Sequence, residues 1–153
     1  MGHDPCSDGV EALSSCATRA DVYAVAAHPM YYDFLYRSMV EGWGPTPADI
    51  HKTFRPYING ARSAKYKTKE RTILSQIWCR SDRVDVPEDV RVVLLFGCHG
   101  TITVKPWQVV KIVVDPESRV AIVGASSSLV YIENYGGHVE DVSGITKIKN
   151  IEH

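Results

Sequence analysis

The chain has 153 residues, 44% of them hydrophobic and 23% charged, with a formal net charge of −1; this is the composition of an ordinary globular protein and excludes a fibrous or extensively disordered chain. It holds no run of about 18 apolar residues, the length that a membrane-crossing helix needs, and its start, Met1-Gly2-His3-Asp4, is acidic where a secretory leader is basic. The four cysteines, Cys6, Cys16, Cys79 and Cys98, lack both C-x-x-C spacing and disulfide-scaffold density, so the expectation is a cytoplasmic protein with reduced thiols and no membrane partner.

Along the first half the apolar pattern favours helix. Asp8 can cap a short helix carrying Val10 and Leu13. Pro29 opens a second, in which Tyr31, Phe34, Leu35, Ser38 and Met39 recur at three- and four-residue steps until Gly42 and Gly44 stop it. Thr46-Pro47-Ala48-Asp49 is a helix start by the same chemistry: a hydroxyl for a free amide, a proline with no amide to satisfy, and a carboxylate at the positive end of the dipole. Ile50, Phe54 and Tyr57 follow on one face, and Pro56 predicts that this helix ends near Arg55. Ile73, Leu74, Ile77 and Trp78 predict a further helix over about 70–80.

After Pro87 the period changes to two. Residues 90–96, 100–104, 108–114, 119–124 and 129–133 read as short strands rich in β-branched residues, with a less regular sixth over 138–148. Asp115-Pro116-Glu117-Ser118 fits a type I turn, and Gly97, Gly100, Gly136 and Gly137 suit other tight connections. Short turns between consecutive strands predict antiparallel pairing, and no internal repeat is read. The predicted fold is a single α+β domain over 1–153, a helical N-terminal half (about 8–83) packed on a C-terminal antiparallel β-meander or small barrel (about 89–149). Its expected core contains Phe34, Leu35, Phe54, Ile73, Ile77, Val93, Leu95, Ile112, Val120 and Ile122.

No constellation marks an autonomous enzyme, a cofactor or a metal. His3-x2-Cys6 is one close pair where structural zinc sites show two. Cys98 beside His99 suggests a thiol nucleophile, but neighbours on a strand point to opposite faces, and the sequence does not choose among His28, His51 and His138 as a base. Paired acids such as Glu140-Asp141 and Glu88-Asp89 diverge on extended chain.

Charge distribution carries the one positive signal. Residues 51–83 hold nine bases against Glu70 and Asp82, and five of those bases, Arg62, Lys65, Lys67, Lys69 and Arg71, fall within ten residues around Tyr66. Cations that neutralise phosphates, with an aromatic ring to stack on an unpaired base, predict contact with RNA or another single strand. The resulting expectation is a small non-enzymatic regulatory protein that contacts nucleic acid through Arg62, Lys65, Tyr66, Lys67, Lys69 and Arg71. The alternatives are an interaction module, inhibitor or adaptor that binds an acidic protein or homo-oligomerises, and a hydrolase with a Cys98 nucleophile.

Overall fold

The structure is a computed structural model; it describes residues 11, 14–18, 32–42, 46–49, 52, 63–67, 69–77, 80, 83–143 and 145–151. One helix, α1 (Tyr32–Glu41), is followed by ten strands: β1 (Ser63–Lys67), β2 (Thr72–Ile77), β3 (Arg83–Asp85), β4 (Val90–Phe96), β5 (His99–Val104), β6 (Val109–Val114), β7 (Arg119–Gly124), β8 (Leu129–Asn134), β9 (His138–Ser143) and β10 (Ile145–Asn150). They form two sheets, one of six strands in the order β1-β2-β4-β6-β8-β10 and one of four in the order β3-β5-β7-β9. Apart from the antiparallel β1–β2 pair, every pairing is parallel.

The architecture is a β-solenoid. The chain alternates between the sheets, and each coil lays one strand on each. Parallel neighbours need a crossover between them, and here the strand of the opposite sheet is that crossover. One coil takes about twenty residues, so that Val92, Lys111 and Tyr131 lie side by side on the larger sheet and Thr101, Ala121 and Glu140 on the smaller.

The corners explain why the chain changes sheet. Backbone amides of Ser118, Ser128, Gln108 and Val90 donate to the carbonyls three residues back, those of Asp115, Ala125, Lys105 and Pro87. The next amides reach the neighbouring coil instead: Arg119 donates to the Cys98 carbonyl and Leu129 to that of Gln108, both at 2.9 Å. Such a turn, type II at Lys105–Gln108 where Trp107 has φ of +62°, has the wrong twist for a tight two-residue hairpin, as type I does. It turns the chain about the core, and each new strand then joins the strand of the previous coil.

Buried polar side chains stitch the corners together. Asp115, fully buried, accepts from the amides of Gly97 and Glu117, both at 3.0 Å, and from the Ser118 hydroxyl. Ser118 Oγ in turn accepts from the Cys98 amide at 2.9 Å. Gln108 takes the Lys105 amide on Oε1 at 3.1 Å and donates from Nε2 to the Pro87 carbonyl at 2.7 Å. At Gly137 a Cβ would lie 2.4 Å from the Asp115 carbonyl oxygen and 2.9 Å from that of Ser118. Only glycine allows that approach.

Between the sheets the core is a stack of branched aliphatic side chains. Ile112 lies beside Ile132 on one sheet and Ile102 beside Ile122 on the other, and Val93, Leu95, Val110, Val120 and Val130 fill in around them. A second cluster lies outside the six-stranded sheet, where α1 covers Ile73, Val92, Leu94, Phe96 and Val113 with Tyr36, Met39 and Val40. Tyr36 is fully buried; its hydroxyl donates to the Leu95 carbonyl, with that of Val113 at 3.4 Å, and its ring centroid lies 4.8 Å from Phe96 and 5.3 Å from Tyr135.

The predicted α+β fold is overturned. The strands occupy the segments that the period-two pattern marked, the sixth being split into β9 and β10, but they pair in parallel across coils and not as a meander. The helix predicted over 70–80 is β2: Ile73 joins the helix-covered cluster while Leu74 joins the inner core, so the Ile-Leu doublet serves both faces of a strand buried on each side. The basic segment holds β1. Of the expected helices, α1 is present, and Pro47, Ala48, Asp49 and Lys52 are helical behind a cap in which the Asp49 amide donates to Thr46 Oγ1 at 3.1 Å and the Thr46 amide to Asp49 Oδ2 at 3.1 Å. Of the expected core, Ile73, Val93, Leu95, Ile112, Val120 and Ile122 are buried; Phe54 and the side chains of Phe34, Leu35 and Ile77 lie outside the described residues.

Candidate nucleic-acid interface

The basic segment becomes the antiparallel cap of one end of the coil stack. Lys65 and Lys67 stand opposite Leu74 and Thr72 on β2. Lys65 Nζ lies 2.9 Å from the Asp89 carboxylate, both half exposed, and this contact holds the Asp89 carboxyl below the usual carboxylate range. A lysine engaged at an edge shields the end of a sheet from illicit pairing. Lys67, Lys69 and Arg71 are exposed; Arg62 and the side chain of Tyr66 lie outside the described residues. Three exposed cations therefore lie at this end, and Lys65 has a local acidic partner.

The Cys98 alternative meets a steric obstacle. Its thiol is buried, donates to the Gln76 carbonyl at 3.1 Å, and sits in a space among Val84, Leu95, Ile102 and Val120 that admits no water molecule. His99 and His138 are exposed, in a column with Arg119 on the outer face of the smaller sheet, and Nδ1 of His99 contacts the Arg80 guanidinium. His28 and His51 lie outside the described residues. Among the described residues no group of three or more histidine, cysteine, aspartate or glutamate side chains could hold a metal ion, and no helix is long and apolar enough to cross a membrane.

A mixture of rings and cations is assembled on the outer face of the six-stranded sheet, beyond the reach of α1. Trp107 is 83% exposed at the corner that leads into β6. Val109 and Leu129, in register on β6 and β8, are exposed beside it. Tyr131, 36% exposed, stands in register between Lys111 and Lys147, about 4.8 Å from each strand. Lys147 and Lys149 are exposed on β10; Lys111 Nζ lies 2.9 Å from Glu133, which shares its register row with Lys149. Four of the five large hydrophobic residues exposed among the described ones fall in this patch.

Backbone strain accompanies the exposed indole. Trp107 has φ of +62°, the only non-glycine residue in the left-handed region among those described, and its amide donates to Ser127 Oγ at 3.2 Å. That conformation costs an L-residue about 1–2 kcal/mol. Asn or Gly would fit it better.

Sequence reading missed this face because its members come from 107, 129–131 and 147–149, separated by whole coils. The available signal was the coil repeat itself, which puts residues twenty apart side by side. Comparison with protein-family models, with curated proteins and with solved structures finds no match to the chain.

Proposed function

We propose that the protein is a non-enzymatic binding module that contacts single-stranded nucleic acid through the open half of the six-stranded sheet. The observation that carries this reading is the row Lys111-Tyr131-Lys147 beside Trp107. A flat sheet offers rings on which unpaired bases can stack, each stack contributing about 1–3 kcal/mol with little sequence preference. The exposed Lys147 and Lys149 supply phosphate contacts, whose counterion release makes affinity fall with salt by about 0.7 in log–log slope per contact. Lys67, Lys69 and Arg71, at the far end of the same sheet, add to the attractive field and make no base contact in this reading.

The test is anisotropy of a labelled oligouridine titrated with the full chain at several salt concentrations. Tyr131→Ala and Trp107→Ala each weaken binding by roughly five- to a hundredfold, while Lys147→Gln with Lys149→Gln flattens the salt slope by about 1.4. Binding that survives the loss of both rings, or no binding at low salt, removes the proposal. Val109 and Leu129 favour the second reading, a protein partner docked on the same patch; Leu129→Ala then weakens capture of that partner, and oligouridine does not compete.

A further inference from the structure

The last described strands, β9 and β10, each pair on one side only among the described residues. The core runs on to this end, where Ile148 and Val139 are only partly covered. Ile148 occupies an inward register position beside the fully buried Ile132, yet it is 43% exposed. On β9, Val139 stands in register with the buried Val120 and is only partly covered. At the opposite end the larger sheet finishes in the antiparallel β1, an edge strand whose Lys65 is engaged by Asp89.

The outward positions of the two open strands carry opposite charge. Lys147 and Lys149 are exposed on β10, in register with the outward-facing Tyr131 and Glu133. Glu140 is exposed on β9, in register with Ala121. β9 runs parallel to β7 and β10 parallel to β8, and because each coil returns on the opposite sheet the two strands run in opposite directions.

We propose that two copies of this chain stack end to end about a twofold axis parallel to the strands, β10 of each copy adding antiparallel to β9 of the other. Rotation about that axis preserves strand direction and exchanges the two sheet positions. It therefore brings β10 onto a strand of opposite direction and sets Lys147 and Lys149 against the partner's Glu140. Ile148 meets the partner's Val139, the two sheets become continuous across the junction, and both edges are closed. The competing arrangements are unfavourable. A twofold axis perpendicular to the sheets opposes β10 to β10, lysine facing lysine. Head-to-tail stacking sets β10 against β1, whose sequence Ser-Ala-Lys-Tyr-Lys holds no acid to meet Lys147 and Lys149, so open filaments are disfavoured relative to the closed dimer.

The experiment is sedimentation velocity on the full chain without nucleic acid, at low salt, over a concentration series. A dimer is expected. Glu140→Lys alone, and Lys147→Glu with Lys149→Glu, each raise the dimer dissociation constant at least about tenfold, equivalent to about 1.4 kcal/mol. The three substitutions together restore it, and that recovery also shows that the reversed strands still fold. A parent chain that stays monomeric throughout, or a dimer that the single reversals do not weaken or the combination does not recover, overturns the proposal. The readout involves no oligonucleotide, so its outcome is independent of the binding reading.

Discussion

Two halves of one sheet face have opposite fates. Toward the strand ends at Phe96 and Val113, the outer surface of the six-stranded sheet lies under α1 and behaves as core. Toward Val109, Leu129 and Tyr131 the same surface, on neighbouring strands, is open. The two halves share strands and similar branched or aromatic residues, so composition does not separate them. The difference is one helix and its anchor, Tyr36, which fills the space between Phe96 and Tyr135 and satisfies its hydroxyl on a strand carbonyl. A parallel sheet usually has both faces covered; here part of one is bare, with rings and lysines on it.

The largest expected effect comes from removing the anchor. Tyr36→Ala should cost about 3–5 kcal/mol, as deletion of a buried aromatic does, and the covered half should then resemble the open one. Urea denaturation with tryptophan fluorescence measures it. Tyr36→Phe isolates the hydroxyl and should cost only about 1 kcal/mol; equal costs for the two would show that the ring contributes nothing and would erase the contrast.

Comparable in size is the corner beneath the anchor. Burial pushes the Asp115 carboxyl above the usual carboxylate range, against the pull of hydrogen bonds from Ser118, Gly97 and Glu117. Asp115→Ala leaves buried donors unpaired, at about 1–3 kcal/mol for each. The raised value also sets a pH dependence: the native state holds the proton more tightly than the unfolded chain. The contribution of this group is therefore fully present below the unfolded value and declines as pH rises through the folded one. Asp89, held low by Lys65, acts in the opposite sense and loses its contribution as pH falls. Denaturation midpoints for parent and Asp115→Asn between about pH 4 and pH 7 should converge or cross as pH rises, the parent losing ground; a constant difference would refute the assignment.

A smaller effect, of opposite sign, is expected at Ser75 on β2. Its hydroxyl is buried and has no hydrogen-bond partner among the described residues. Ser75→Ala should be neutral or stabilising by up to about 1 kcal/mol in the same denaturation assay; a clear loss would mean that the hydroxyl has a role in seating α1.

The smallest stability effects belong to the open half. Tyr131→Ala should change stability by no more than about 0.5 kcal/mol. Trp107→Gly should match or exceed the parent, since relief of the left-handed strain offsets the added freedom of the unfolded chain. Both weaken oligouridine binding in the proposed reading. A Trp107→Gly variant that is markedly less stable would make the indole structural and return the open half to the same class as the covered one.

Local chemistry was legible in the sequence. The strand positions after Pro87, the type I turn at Asp115-Pro116-Glu117-Ser118, the Thr46–Asp49 cap and the branched core residues follow from alternation, proline geometry and side-chain donors near in the chain. A sign of the coil was also there: Gln108-Val109-Val110, Ser118-Arg119-Val120 and Ser128-Leu129-Val130 repeat a buried corner residue, an exposed residue and an inward valine at ten-residue steps. Pairing was decided by tertiary structure, because alternation assigns a residue to a face of a strand and leaves open which strand lies alongside. The same short turn can lead back to the strand it left or round to the opposite sheet, and only core packing and the ladder to the previous coil select the second. For that reason β1, from the basic run contiguous in sequence, became an end strand, while Trp107, Tyr131 and Lys147, scattered through the sequence, were brought to one surface by the twenty-residue coil.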